Sequence, residues 1–368
     1  MTRARTNANI SPAVGRNLVI NGSMNVAQRS ASVTGLGAAA GYFTCDRWKI
    51  GTGSSAGRFT MSQTADGPNG ISANCVKLDC TTADTSIAAG EYLNLQQIFE
   101  GQNLQSIGKG VAGAKQITVS FYVKASAAFT FGLELFDTDS SRQCTKLFDT
   151  TTDWVRHEFT FPADVDDGSS PFDDNNARSL DLTFFLHAGT TFTGGTLNTA
   201  AFANNTNANR AAGIDSFYSS TDNNFFITGV QVEIGPVATE FEQEDIGVTL
   251  EKCKRYYRRI GNTGDASTLQ MLFSGYLATA TRVVGSVMLS PSMRTQPTMG
   301  TTGTAADYQI LNLNQSTACS VVPAMDGQSS EQTLFLFVDT GTSLTAGGGA
   351  EIRGNDEVTA HIAFDAEL

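Results

Sequence analysis

The stretch ITVSFYVKA, residues 117–125, alternates apolar and polar side chains with a period of two. Ile117, Val119, Phe121 and Val123 fall on one face, which is the pattern of a strand that buries one side. The same alternation recurs in FTFGLEL (129–135), VRHEFTF (155–161), LDLTFFL (180–186) and VQVEI (230–234). The pattern predicts an all-β fold.

Long turn-rich stretches separate these strand-like runs, among them DVDDGSSPFDDNN (164–176) and TGGTLNTAAFANNTNANRAAG (193–213). Loops of this Asn/Gly/Asp composition on an antiparallel frame are typical of a β-sandwich. A second set of strand-like runs begins after residue 260 and ends with EVTAHIAFDAEL (357–368). Because 368 residues are many for one core, we predict two β-sandwich domains.

The chain is acidic, with a formal net charge of −12. This balance argues against a nucleic-acid binder, which needs a basic field over an extended surface. No apolar run approaches the roughly 20 residues that span a bilayer. The arginines of MTRARTNANISPAVGRN are not followed by an apolar segment, so we expect no secretory signal and predict a docking arm over residues 1–15.

The six cysteines are scattered without a CxxC motif, and the three histidines lie far apart. Zinc-type spacing is therefore absent, and we expect no metal site of that kind. Buried free thiols in a reducing cytoplasm are the expected state. Cys75 and Cys80 are close in sequence, but their spacing carries no redox motif and we do not expect a disulfide between them.

The most basic stretch is LEKCKRYYRR, residues 250–259, with five Lys or Arg in eight positions. Six nearby acids nearly cancel this charge, and the apolar residues Ile246, Leu250, Cys253, Tyr257 and Ile260 recur at spacings of 4, 3, 4 and 3. This is a heptad pattern, so we predict a helical connector over 246–260, with Asp245 as its N-cap. Leu250, Cys253 and Tyr257 would form a seam that packs either on copies of itself or on the chain's own sandwich.

Motif matches for enzymes fail on their surroundings. GKGVAG (108–113) has the spacing of a dinucleotide loop, but a strand follows it instead of a helix, which indicates a turn. GSSAG (53–57) around Ser55 lies in a Gly/Ser loop and lacks the strand and helix of a nucleophile elbow. The acids of DVDDG and FDDNN fit no calcium-loop pattern and carry no sign of a raised pKa. We predict no catalytic residue.

The two tryptophans, Trp48 in CDRWKI and Trp154 in TTDWVRHEF, are the candidate glycan-binding residues. Exposed aromatic rings on sandwiches stack on sugar rings, whereas a tryptophan at the start of a strand also packs readily in the core. Both alternatives stay open for each residue at this point.

Four stretches together resemble the tail-fibre and related virion proteins of tailed bacteriophages. They are RNLVINGSMNVAQRS (16–30), YFTCDRWKI (42–50), FFITGVQVEIGPVATEFEQ (225–243) and LEKCKRYYRRI (250–260). In the C-terminal part, PSMRTQPTMGTTG (291–303) and AFDAEL (363–368) resemble the tip domains of the same family.

The resemblance implies a carbohydrate-binding-module-like jelly roll over residues 16–245, the connector over 246–260, and a small distal β-sandwich over 261–368. It also implies a homotrimer located in the virion, which is assembled in the host cytoplasm. Several related jelly rolls hold a structural calcium, but the corresponding positions here are Asn25 and Gly229, and neither supplies a carboxylate.

The expected function is therefore that of a phage virion structural protein, a tail fibre or similar appendage, which attaches to host-surface glycan without catalysis. Its arm would contact other virion proteins. We expect neither nucleic-acid binding nor membrane insertion, and no cofactor. The alternatives are a virion glycan depolymerase and a purely architectural head or baseplate fibre component.

Overall fold

The structure is a computed structural model that describes residues 15–165, 169–261 and 268–368. It divides into two compact units, Met1–Thr249 and Leu250–Leu368. Both are built almost entirely from antiparallel strands, so the all-β prediction is confirmed. The predicted docking arm, apart from Gly15, lies outside the described residues.

The N-terminal unit is a jelly-roll β-sandwich of two antiparallel sheets. Its strands are β1 (Ser32–Leu36), β2 (Gly41–Tyr42), β3 (Lys49–Gly53), β4 (Arg58–Thr64), β5 (Cys75–Thr82), β6 (Tyr92–Glu100), β7 (Ile117–Ala125), β8 (Thr130–Asp137), β9 (Arg142–Asp149), β10 (Val155–Phe161), β11 (Arg178–Ala188), β12 (Ala203–Asn204) and β13 (Asn224–Ile234). Sheet I has the order β1-β4-β5-β13-β7-β10, and sheet II has the order β12-β9-β8-β11-β6-β3-β2. A short helix, α1 (Thr190–Thr193), follows β11.

The core of this unit lies between the two sheets and is built from the alternating residues seen in the sequence. Phe121 of sheet I contacts Phe184 and Phe148 of sheet II edge to face, with ring centroids 5.0 and 5.1 Å apart. All three rings are buried. Each fully buried Phe contributes about 1.5–3 kcal/mol, so the aromatic-rich alternation makes a large favourable contribution to the sandwich.

The C-terminal unit is a smaller antiparallel β-sandwich with its own apolar core. Its strands are β14 (Tyr257–Gly261), β15 (Met271–Leu277), β16 (Arg282–Met288), β17 (Thr298–Thr301), β18 (Tyr308–Asn312), β19 (Gln315–Ala318), β20 (Ala324–Met325), β21 (Thr333–Asp339), β22 (Gly349–Gly354) and β23 (His361–Asp365). Sheet III has the order β14-β23-β17, and sheet IV has the order β19-β18-β22-β15-β16-β21-β20.

The predicted connector helix is shorter than expected. Helix α2 runs over Ile246–Lys254, and Asp245 Oδ1 accepts a hydrogen bond from Gly247 N at 2.8 Å, as an N-cap does. Tyr257, predicted on the helical seam, instead begins β14 and pairs with Asp365 of β23. The prediction of a helix to residue 260 is wrong because Tyr and Ile favour strands and β23 offers a complete hydrogen-bonding partner.

Only two of the three predicted seam residues therefore lie on the helix. Cys253 is buried and Leu250 is half-buried, whereas Ile246 at the start of the pattern is 53% exposed. The helix spans less than two heptads, and the boundary between the two compact units falls inside it. The domain limits at residues 245 and 260, and the pairing of the seam with other copies, stay predictions.

The basic residues of the connector have local structural partners. Lys254 Nζ binds Glu251 Oε1 at 2.6 Å, and Arg258 Nη1 donates to the Ser290 carbonyl at 3.1 Å. Arg259 Nη2 lies 3.0 Å from His361 Nδ1. These basic side chains therefore form contacts within the protein itself.

Two further expectations are met in the described residues. All six cysteines are free and buried, and no disulfide joins Cys75 to Cys80. Gly108, Gly110 and Gly113 all have positive φ, which confirms a turn at GKGVAG. None of the helices in the described part of the chain is long and apolar enough to cross a membrane.

Candidate functional site

The outer face of sheet II carries a continuous row of polar side chains, which we call the polar row. The strands that send Leu95, Leu182 and Leu133 into the core turn their alternate residues outward. Cross-strand registers bring six of these outward residues side by side: Tyr42, Lys49, Gln96, Thr183, Glu134 and Thr145. At about 4.8 Å per strand, the polar row extends roughly 24 Å.

Two arginine–carboxylate pairs hold the polar row in place. Arg210 donates from Nε and Nη2 to both oxygens of Glu134, at 2.9 and 2.6 Å. Arg178 binds Asp181 in the same two-pronged way, with Nε 2.8 Å from Oδ1 and Nη2 on Oδ2. Bidentate pairs of this kind fix the plane of the guanidinium group, so these side chains are pre-organised.

Burial separates the two signs of charge on this face. The side chains of Glu134 and Asp181 are 0% and 1% exposed, whereas those of Arg178 and Arg210 are 44% and 16% exposed. Burial raises the pKa of both carboxyl groups, and the facing guanidinium groups oppose that shift. Solvent therefore meets chiefly Arg178, while both carboxylates are buried beneath their arginines.

The segment over residues 189–216 covers one part of this face. Its Phe192 and Ile214 pack on Phe185 of β11 and on Tyr92, forming a small apolar cluster separate from the main core. Arg210 comes from the same segment and lies over Phe136, with Cζ 4.6 Å from the ring centroid. On the polar row itself Thr183, Glu134 and Thr145 are 0% exposed, so its accessible part consists of Tyr42, Lys49 and Gln96.

The opposite end of the polar row is aromatic and cationic. Tyr42 is half-buried, and its ring faces Arg29 and Lys49, whose charged groups lie 5.2 and 5.6 Å from the centroid. Gln96 is half-buried between Lys49 and Thr183. Rings, amides and cations on one rigid sheet can bind the apolar faces, hydroxyls and acidic groups of a saccharide.

Trp48 does not contribute to a binding surface. Its side chain is 0% exposed, and its Nε1 donates to the Asn21 carbonyl at 3.1 Å inside the core of the sandwich. The prediction of a glycan contact at Trp48 is wrong because the residue just before β3 faces inward, where a large ring gains the most from burial.

Trp154 lies at the outer face of sheet I and is half-buried. Its Nε1 donates to the Asp66 carbonyl at 3.1 Å, and Lys124 Nζ lies 5.2 Å from its ring centroid. The structure therefore leaves Trp154 available as a contact residue, on the opposite side of the sandwich from the polar row. The two predicted tryptophans are not brought together.

The two positions that the resemblance relates to calcium ligands, Asn25 and Gly229, carry neutral groups. Asn25 Oδ1 accepts a hydrogen bond from Asn74 Nδ2 at 3.0 Å, and Gly229 lies in an irregular part of β13 with φ of 61°. Across the described residues, no group of three or more His, Cys, Asp or Glu is placed to hold a metal ion. The donor set around Asn25 lacks the carboxylates that calcium prefers.

A second polar cluster surrounds His187 on β11. His187 Nδ1 lies 2.8 Å from Ser216 Oγ, and His187 Nε2 lies 3.4 Å from Glu91 Oε2. Asp84 lies nearby and accepts hydrogen bonds from Ser55 Oγ and Ala56 N at 3.1 and 2.9 Å. Because the imidazole is fully buried, we assign this cluster a structural role. Burial lowers the pKa of His187.

No protein-family model matches the chain, and the search of curated proteins gave no match. Solved structures with a similar arrangement include the enzymatically active domain of tailspike protein 4 from bacteriophage CBA120, with 11% identity and a TM-score of 0.31. That likeness covers 60% of this chain and 21% of the solved tailspike domain, so the chain spans about a fifth of that domain's length.

Two carbohydrate-binding modules have a comparable likeness. A family 61 module in complex with β-1,4-galactotriose has 12% identity and a TM-score of 0.29, with 60% of this chain and 99% of that chain covered. The family 11 module from Clostridium thermocellum has 12% identity and a TM-score of 0.27, with 56% and 98% covered. Likenesses at this level carry no argument about function, which has to rest on the site itself.

Sequence reasoning missed the polar row. Its residues alternate along the strands with the predicted core positions, as Thr183 does between Leu182 and Phe184. The alternation therefore already indicated that these side chains point outward. What could not be found was the register that sets six strands side by side, or the contribution of Arg210 from a loop. Both depend on contacts distant in the chain.

Proposed function

We propose that the chain is a virion structural protein of a tailed bacteriophage that attaches to host-surface glycan without cleaving it. The four stretches that resemble phage tail-fibre proteins, within residues 16–260, support the virion part of this proposal. The polar row supports the glycan-binding part, because its accessible end places the Tyr42 ring, the Lys49 ammonium group and the Gln96 amide next to one another on one rigid sheet. The predicted arm, residues 1–15, would dock on another virion protein, and deletion of residues 2–15 should abolish incorporation into particles.

The exposed charges favour a glycan that carries acidic groups. Arg178 presents a guanidinium group that is 44% exposed above the buried Asp181, while Arg210, above the buried Glu134, is 16% exposed. Lys49 adds a half-buried cation beside the Tyr42 ring, whereas Arg29 on the same ring is only 10% exposed and lies 4.0 Å from the buried Asp46 carboxylate. A sugar carboxylate or phosphate binds well to such groups, because charge-assisted hydrogen bonds are about twice as strong as neutral ones. The contrast between the buried Asp181 carboxylate and the exposed Arg178 guanidinium group is the observation that carries the proposal.

The first prediction concerns Arg178. Replacing Arg178 alone would leave Asp181 buried and unpaired, so the informative variant is R178Q combined with D181N. We expect its affinity for uronic-acid oligosaccharides to fall at least about tenfold, equivalent to about 1.4 kcal/mol. Titration calorimetry at low salt would measure the loss, since exposed ionic contacts weaken as salt rises.

The matched control is R282Q, which removes an exposed arginine that binds Asp339 through two contacts in the other unit. It should bind acidic glycans as the original protein does. Equal affinity in the Arg178 variant and the control would contradict the proposed site. An assay for new reducing ends on the bound polysaccharide addresses catalysis, and steady product release would favour a depolymerase instead.

A further inference from the structure

The outer face of sheet I, on the other side of the same sandwich, carries an ordered row of alternating rings and ammonium groups. The registers place Lys124 opposite Phe226, and Phe226 opposite Lys77, on three adjacent strands. Trp154 extends this row beyond Lys124, immediately before β10. We call Trp154, Lys124, Phe226 and Lys77 the aromatic ladder.

The aromatic ladder is held rigidly. Lys124 Nζ lies 5.2 Å from the Trp154 centroid and 4.8 Å from the Phe226 centroid, and Lys77 Nζ lies 5.7 Å from Phe226. Trp154 and Phe226 meet edge to face at 6.4 Å. With Nε1 of Trp154 bonded to the Asp66 carbonyl, the indole orientation is fixed before any ligand arrives. Fixed rings lose little conformational entropy on binding.

Charge distinguishes this face from the polar row. Each cation here has an acidic partner that is itself exposed: Asp66 on Lys124, Asp79 on Lys77, and Glu158 on neighbouring Arg156. These three acids are 50%, 43% and 47% exposed, which is more than the 18%, 29% and 27% of their cations. An acidic polymer would meet exposed carboxylates, so this face does not suit it.

The same composition suits an uncharged saccharide. Sugar hydroxyls both donate and accept hydrogen bonds, and the ladder offers ammonium donors beside carboxylate acceptors on each side of its rings. The rings can contact the apolar C–H face of a pyranose, as aromatic side chains do at interfaces with one apolar and one polar side. A bound chain running across β10, β7, β13 and β5 would cover about 14 Å of the sheet.

We propose that the aromatic ladder is a second glycan site, selective for uncharged saccharide segments and independent of the polar row. The inference rests on the proposed glycan-binding role of the chain but not on the polar row as its site. Two sites on opposite faces of one sandwich would let the protein hold a host polymer at two points, which raises the overall avidity.

The test uses the two tryptophans as internal probes. Trp48 is fully buried and Trp154 is half-buried, so iodide should quench the fluorescence of Trp154 selectively. Linear uncharged glucan oligosaccharides should protect Trp154 from iodide. W154A should lower the affinity for these oligosaccharides at least about tenfold while leaving uronic-acid binding unchanged.

The control is Y276A, which removes a half-exposed aromatic ring in the C-terminal unit and should alter neither affinity. The variant R178Q/D181N should bind neutral saccharides normally. If R178Q/D181N loses affinity for uronic-acid oligosaccharides while W154A still binds neutral saccharides normally, the aromatic ladder is overturned as a site and the polar row is retained. The reverse pattern would overturn the polar row and keep the ladder, and no binding of either saccharide would overturn both.

Discussion

At the scale of single residues, the two tryptophans illustrate how environment decides the role of a side chain. Trp48 and Trp154 both stand just before a strand, yet one is enclosed by the core and the other meets solvent. From the sequence alone, each tryptophan could either pack in the core or be exposed on the surface. The choice depends on which sheet face the residue joins, and that follows from the pairing of strands distant in the chain.

His187 gives a prediction about pH. Burial lowers its pKa below the ordinary 6.5, so between the two values the unfolded chain binds a proton that the folded chain does not. The free energy of unfolding should therefore be fully retained above about pH 6.5 and fall as the pH decreases below it. Urea unfolding between pH 5 and 8 would measure this slope.

The groups that face His187 are Glu91, Asp84, Ser216 and Tyr218. The carboxylates Glu91 and Asp84 raise the pKa of His187 and so oppose the effect of burial. The measured slope of stability against pH therefore tests which of the two effects is larger. The variant H187Q retains a polar side chain and should flatten the pH dependence in this range. If the stability of the original protein is the same at pH 5.5 and 7.5, the assignment to His187 is wrong.

At the scale of elements, the connector shows where local pattern and tertiary pairing compete. The heptad spacing correctly located a helix that begins after Asp245 but continued it past Lys254. Residues 257–261 pair with β23 through five registered positions, and the hydrogen bonds of that sheet replace those of a helix. Tertiary pairing therefore overrode the periodicity, because a short helix gains most of its stability from packing.

The glycine turn at GKGVAG gives a prediction at the same scale. Gly110 has φ of 76°, and a Cβ there would lie 2.7 Å from the carbonyl carbon of Ser170. G110A should lower the free energy of unfolding by about 1–3 kcal/mol, from strain and from the clash. Chemical denaturation would measure the difference.

G113A is the control for that substitution. Gly113 also has a positive φ, of 96°, but a Cβ there would meet nothing within 4 Å. It should therefore cost only the strain, about 1 kcal/mol. Equal losses in the two variants would show that contact with residue 170 contributes nothing.

At the scale of the whole molecule, each unit has its own core, and the chain is acidic despite its basic connector. The C-terminal residues after 260 carry three basic and ten acidic side chains, a net of −7, so more than half of the total charge of −12 belongs to them. Such a charge disfavours contact between the residues after 260 and phosphate polymers.

The resemblance to phage fibres predicts a homotrimer. A stable trimer of the 39.0 kDa chain should give a solution mass about threefold larger, by light scattering. The variant C253S serves to test the helix α2 seam, since Cys253 is its buried member on the helix. A solution mass equal to one chain would contradict the trimer. If folded C253S is still a trimer, trimer formation does not depend on Cys253.

The sequence by itself determined the all-β class, the two sandwiches, the core positions of the main strands, the turn at residues 108–113 and the free state of the cysteines. These properties follow from period-two alternation, glycine conformation and composition, which are local. Only the tertiary structure decided that Trp48 is buried, that Tyr257 lies in a strand, and that Arg210 binds Glu134 76 positions earlier.

The same division holds for residues 117–125, which contain one member of the aromatic ladder, Lys124. Their alternation fixed Phe121 and Val123 in the core and left Lys124 outside. That Lys124 then lies between Trp154 and Phe226 depends on the registers of β7 with β10 and β13. Alternation determines which face a side chain occupies, but only strand pairing determines its neighbours there, because pairing energy comes from contacts between distant segments.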